Sequence, residues 1–326
     1  MARLGLRTTV ATAVLLVLAA VPVVALASGN TYYITLFTRI MIFALAALGL
    51  NLILGYGGMV SLGHALYVGI GAYSVGILSF HGISSGWAHL GVAFCAGIVV
   101  SVPIGLVVLR TSGIAFIMIT LAFAQMFYFL AVGLRQYGGD EGLAIGGRSE
   151  FGLFSLASNT VLYYVTFAAL MIVLFGASRL IASRFGMVLR GCKSNERRMI
   201  ALGFATLRYK LAAYVMSALV CVVAGMLLAN LTRFVSPSYM QWQVSGELIV
   251  MIVLGGIGSV IGPIVGSASL VLLEEILASV KLGLPWGIDA YINAHLMAVV
   301  GIFIVVVALY MKQGLFGLLV ARERRG

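Results

Sequence analysis

The sequence predicts an all-α integral membrane protein of about ten transmembrane helices. Three observations carry that expectation. Of 326 residues, 62% are hydrophobic and 9% charged, whereas a water-soluble domain carries about a quarter charged residues. From Ile40 to Leu109 there is no Asp, Glu, Lys or Arg; since about 20 apolar residues cross a hydrocarbon core, that stretch holds roughly three spans. The apolar runs also lack the polar–apolar alternation of barrel strands, which leaves helices as the way to satisfy backbone groups inside lipid.

The first segment follows Arg3 and Arg7 and runs from Thr8 to Ala27. Its basic start and the Ala25-Leu26-Ala27 end have the shape of a cleavable signal peptide, but the run is long enough to span and is read as an uncleaved helix. Apolar runs near 34–54, 60–80, 90–109, 113–134 and 160–178 give five more segments. An outer loop, 135–159, precedes the sixth segment, and a basic loop, 179–210, follows it. The basic loop holds Arg179, Arg184, Arg190, Lys193, Arg197, Arg198, Arg208 and Lys210 against a single acid, Glu196. The tail adds Lys312, Arg322, Arg324 and Arg325. Lys and Arg gather on the cytoplasmic side of membrane proteins, so the formal charge of +11 marks topology and not a nucleic-acid partner. Six crossings from a cytoplasmic N-terminus place the basic loop in the cytoplasm, where it reads as an amphipathic helix broken at Gly203 that returns into a seventh span near 211–231.

Segments near 248–257, 261–280 and 292–311 complete the count. Residues 248–280 are too few for two full spans, and Gly255-Gly256-Ile257-Gly258 followed by Gly262-Pro263 breaks them into a short pair, predicted to be broken or re-entrant. Backbone of that kind is tolerated at membrane depth where protein buries it or water lines it, which makes the break a candidate pathway element. The competing reading is close packing of small residues between helices. A similar break at Gly55-Tyr56-Gly57-Gly58 precedes Ser61 and His64.

The chain has no Gly-Lys pair, hence no phosphate-binding loop of the ATPase type. The histidines His64, His81, His89 and His295 are scattered, and Cys95, Cys192 and Cys221 have no metal or disulfide spacing. No catalytic residues and no metal site are expected, and the chain is read as a non-enzyme. Glu274 and Glu275 lie inside the ninth segment, where a carboxylate needs a partner, water or a proton. His64 is either a hydrogen-bonded packing residue or a substrate contact.

Four motifs then carry a resemblance. They are Gly55–Ala65 with Gly69-Ile70-Gly71-Ala72-Tyr73; Gly138-Gly139-Asp140-Glu141-Gly142-Leu143; Phe185-Gly186 through Asn195-Glu196 and Ala201-Leu202-Gly203 to Tyr209-Lys210-Leu211; and Gly255 to Gly266. In this order they resemble the LivM-type permease subunits of branched-chain (hydrophobic) amino acid ABC importers. Arg197, Arg198 and Met199 depart from that pattern, which usually has small or apolar residues after the Glu. The resemblance implies a single permease domain, 1–326, with 135–159 as periplasmic loop and 179–210 as cytoplasmic coupling loop. It further implies a bacterial inner-membrane importer with both termini cytoplasmic. Its partners would be a second related permease, two cytoplasmic ATPases that bind ATP and Mg, and a periplasmic binding protein. Glu196, Ala201, Gly203 and Lys210 would couple to the ATPases. Gly55, Gly57, Gly58, His64, Gly255, Gly256, Gly258 and Pro263 are the candidate pathway positions. The solute would be a branched-chain or related hydrophobic amino acid, the alternative being urea or a short-chain amide.

Overall fold

A computed structural model describes residues 2–27, 30–152 and 155–279, with isolated positions from 298 to 317, and side chains from residue 12 onward except those of residues 24, 26, 27 and 279. The expected segment at 292–311 lies for the most part outside the described residues, as do His295 and the basic tail. The described chain folds into helices α1 (Ala2–Ala27), α2 (Tyr32–Asn51), α3 (His64–Phe80), α4 (Gly86–Val108), α5 (Ile114–Gly133), α6 (Asn159–Ala182), α7 (Arg184–Ala201), α8 (Thr206–Thr232), α9 (Trp242–Gly255) and α10 (Gly262–Ser279). Five of these segments are long and apolar enough to cross a membrane: Tyr32–Tyr56, Gly86–Val108, Ile114–Gly133, Asn159–Ala182 and Thr206–Thr232.

The core is built on α2 and α8. Protein buries 83% of the most apolar window of the α2 segment, against 11% for α6, so α2 is central while α6 is a rim helix. The outward faces of α4, α5 and α6 expose Val99, Phe129 and Ile172. In water such a surface would associate; in lipid it is solvated. Helix α8 packs on α2, α3 and α4. Its approach to α3 is close because a Cβ at Gly71 would lie 2.0 Å from the Val222 carbonyl, and one at Gly225 1.8 Å from that of Val68. Small residues let helix backbones meet where no hydrophobic effect separates helix from lipid. Buried hydroxyls on the helices bond back four residues, Thr38 to Ile34 O at 2.6 Å and Ser74 to Ile70 O at 2.7 Å, which keeps them satisfied without water.

The loop between α5 and α6 is stitched down. Strands β1 (Leu143–Ala144) and β2 (Phe234–Val235) pair antiparallel, with Leu143 opposite Val235. The buried ring of His89 bonds Ser149 Oγ at 2.7 Å and the Ile83 carbonyl at 2.8 Å, and Ser149 N–H donates to Asn230 Oδ1 at 2.8 Å.

Helices α1, α4, α8 and α9 each start several residues earlier than the apolar runs suggest. Helix α8 begins at Thr206, not near 211, and α9 at Trp242, not near 248. The polar residues Gln243, Ser245 and Glu247 read as loop, but Ser245 is buried and takes a hydrogen bond from Ala65 N–H at 2.8 Å. Glu247 thereby joins a helix. Helix α7 breaks within itself: Asn195 sits at φ −160°, ψ 98°, and its Oδ1 accepts from Arg198 N–H at 3.0 Å. That is an N-cap restarting the helix, a break additional to the turn at Gly203.

Candidate coupling and translocation site

Both glycine breaks meet. After Asn51 the helix widens into one π-type turn, Leu52–Tyr56, and ends. Against it lies the turn between α9 and α10. A Cβ on Gly55 would fall 2.8 Å from Gly258 N and 2.3 Å from Asn51 Oδ1, so the contact has no room for a side chain. Gly258 holds φ +77°, a conformation that favours glycine. Gly256, at φ +110°, ends α9, and Gly262 with Pro263 opens α10.

Asn51 makes this unwound backbone tolerable. Fully buried, it donates from Nδ2 to the Ser259 carbonyl at 2.8 Å and accepts at Oδ1 from Gly258 N–H at 3.2 Å. One amide thus satisfies a donor and an acceptor that a buried turn would otherwise leave unpaired.

From the other side comes α7. Lys193 Nζ donates to the Gly55 carbonyl at 2.7 Å, capping a carbonyl freed where the α2 segment ends. The side chain of Lys193 also lies over Gly58. Further along α7, Glu196 pairs with Lys210 of α8 at 2.5 Å. Gly203 sits between these helices at φ +87° with nothing within 4 Å of a built Cβ. A cavity of about 400 Å³ lies beneath the break, bordered by Gly57, Gly58, Lys193, Glu196 and Lys210.

His64 stands apart. It has no exposure, and its ring joins Ser61 Oγ at 2.9 Å and Ser217 Oγ at 2.9 Å, while Ser217 donates to the Gly49 carbonyl at 2.6 Å. A neutral ring protonated at Nε2 completes the sequence Ser61 to His64 to Ser217 to Gly49. With Tyr67 and Tyr214 packed edge-on around it, His64 ties α3 to α8 and α2. Glu274 and Glu275 lie at the other end of α10 from the break, about 18 Å along the helix axis. Glu275 accepts from the Tyr32 hydroxyl, and the charge of Arg39 acts on Glu274.

A second cavity, about 500 Å³, opens at that end, bordered by Tyr32, Leu36, Arg39, Phe43, Leu228, Glu247 and Glu275 among others. Arg39 and Glu247 were not singled out by the sequence, nor were Asn51 and Lys193. Asn51 was visible as an amide in a charge-free run four residues before Gly55, and Glu247 as a carboxylate just before an apolar run.

The comparisons with known proteins fit this architecture. The family model described as branched-chain amino acid transport system / permease component matches residues 32–309. The high-affinity branched-chain amino acid transport system permease protein LivM of Escherichia coli (strain K12) is 27% identical over 85% of this chain and 68% of its own. LivH of the same strain is 25% identical over 84% of this chain and 91% of its own. BraD of Pseudomonas aeruginosa is 24% identical with the same two coverages, 84% and 91%. No solved structure matches the chain. A match extending from the start of α2 past the end of α10 encloses both glycine breaks and the charged helix between them: the chain belongs to the family of branched-chain amino acid transport system permease components.

Proposed function

We propose that this chain is the membrane-spanning permease of an ATP-driven importer that moves branched-chain or related hydrophobic amino acids delivered by a periplasmic binding protein. The observation that carries the reading is the family match across residues 32–309. Similarity to both LivM and LivH supports a pair of related permeases. The relatives are named for branched-chain amino acids, which favours that solute over urea or an amide.

In this reading the single domain, 1–326, sits in a bacterial inner membrane with about ten crossing segments and cytoplasmic termini. Helices α9 and α10 form the re-entrant pair, with the turn at Gly255–Gly258 pointing to the cytoplasm. Loop 135–159 faces the periplasm, where exposed Asp140, Glu141 and Glu150 meet the binding protein. Helix α7 docks on the ATPase subunits, which bind ATP and Mg. Exposed Ile200, Leu202, Phe204 and Leu207 around Gly203 supply an apolar docking surface that a cytoplasmic loop would not otherwise carry. Closure of the ATPases pushes α7, held in one piece with α8 by Glu196–Lys210. Lys193 transmits that push to the end of α2, which slides against Gly258. Access then alternates between the outer and inner cavities, with Gly55, Gly57, Gly58, Gly255, Gly256, Gly258 and Pro263 as the moving contact and His64 as a fixed brace.

The test is ATP-dependent uptake of labelled leucine in cells with and without this chain, the other subunits present throughout. Loss of uptake on deletion is expected; undiminished leucine uptake with loss of urea or amide uptake would overturn the solute.

A further inference from the structure

The outward cavity carries opposite charges that do not close on one another. Arg39 projects from α2 and Glu247 from α9, and both border the space of about 500 Å³. The charges of Glu274 and, less strongly, Arg39 act on Glu247, and among the described residues neither the Arg39 nor the Glu247 head group makes an ion pair within 4 Å or a hydrogen bond. Arg39 rests over the Phe43 ring, 5.7 Å from its centroid. Arg39 is exposed and Glu247 half-buried; opposite charges held apart in one cavity favour a ligand bearing both signs, because a singly charged one leaves one of them without a partner. The remaining wall is mixed: Leu36, Phe43, Val68 and Leu228 are apolar, while others, Thr232 and Gln243 among them, are polar. The volume falls within the range of about 300–1,000 Å³ typical of small-molecule sites.

We infer that this cavity is a binding station for a free zwitterionic amino acid with an apolar side chain, Arg39 taking the α-carboxylate and Glu247 the α-ammonium. The side chain lies on Leu36, Phe43 and Leu228. The guanidinium fork suits a carboxylate, and the Glu247 carboxylate accepts the ammonium protons. Glu275, held by Tyr32, adds negative potential at the mouth. The inference rests on the reading above that the solute is an amino acid, and it places a specific contact in the permease in addition to the binding protein's.

Binding of labelled L-leucine to the full chain in lipid nanodiscs, with leucinol and 4-methylpentanoate as competitors, tests it; leucine uptake in cells is measured alongside. Leucinol lacks the carboxylate and 4-methylpentanoate the ammonium. Arg39→Gln is expected to weaken leucine and 4-methylpentanoate by about tenfold or more while sparing leucinol, since charged hydrogen bonds of this kind carry roughly that factor. Glu247→Gln is expected to weaken leucine and leucinol and spare 4-methylpentanoate. Glu247→Asp retains binding within a few-fold, and Arg39→Lys, which keeps the charge but not the fork, falls between Arg39→Gln and the parent, which separates lost charge from misfolding. Wild-type affinity in both neutral variants, or equal loss of all three ligands in the neutral and charge-keeping variants alike, overturns the station while intact leucine uptake by the wild type leaves the importer reading standing. A wild type that takes up no amino acid overturns both.

Discussion

The Lys193 ammonium meets the Gly55 carbonyl at 2.7 Å and so fastens the charged helix α7 to the unwound end of α2. Gly55 in turn packs against Gly258 without space for a methyl group between them. Two contacts thus join α7 to the α9–α10 turn, one charged and one backbone on backbone, and the proposed coupling runs through them.

Asn51 holds that turn together, and its replacement is expected to be costly. Asn51→Leu strips the Ser259 carbonyl and the Gly258 N–H of their partners. Each buried group left unpaired costs about 1–3 kcal/mol. Denaturant or thermal unfolding of the solubilised protein should register a loss of that order, and Asn51→Asp, which keeps the acceptor for Gly258, should fall between. An Asn51→Leu variant as stable as the parent would show that water or lipid satisfies the turn.

Gly203 is expected to respond to backbone strain and not to bulk. Its φ of +87° lies in the left-handed region, while a Cβ there meets nothing within 4 Å. A left-handed conformation costs an ordinary L-residue about 1–2 kcal/mol. Gly203→Asn should therefore keep most uptake, and Gly203→Ala and Gly203→Leu should lose it to a similar extent. A loss graded by side-chain size, with Ala harmless, would place an ATPase surface directly against this turn.

Cys192 reports the packing of α7. Burial pushes its thiol above the ordinary value, Lys210 pulls it back and Glu196 adds to the rise. A raised value keeps the thiol protonated, hence unreactive, through neutral pH, because the thiolate is the nucleophile. Maleimide labelling of Cys192 in a variant lacking the other two cysteines should be slow at pH 7 and accelerate only in the alkaline range. Lys210→Ala should move that rise higher still. Rapid labelling at pH 7 would mean that α7 is detached from the cavity beneath the break.

Much of this fold was legible because lipid imposes simple rules. The charge-free run from Ile40 to Leu109 announced its helices. The glycine breaks were visible as interruptions, but their mutual contact was not, since about 200 residues separate Gly55 from Gly258 and no local pattern encodes a pairing. Lys193 looked like one more topological charge, and its particular partner is a carbonyl, which no side-chain motif reveals. Glu247 was hidden by a helix boundary: Gln243 and Ser245 read as loop until burial of Ser245 against α3 made them part of α9. Glu274 and Glu275 were seen, but the setting of Glu275 beside Tyr32 at the cavity near Arg39 depended on the direction of α10.

Lys193→Met, measured as leucine transported per ATP hydrolysed in the assembled importer, tests the coupling account most directly. The account predicts ATP hydrolysis near the parent rate with leucine transport reduced about tenfold, since the charged contact that carries the push has gone. Transport and hydrolysis that both stay at the parent level would contradict it.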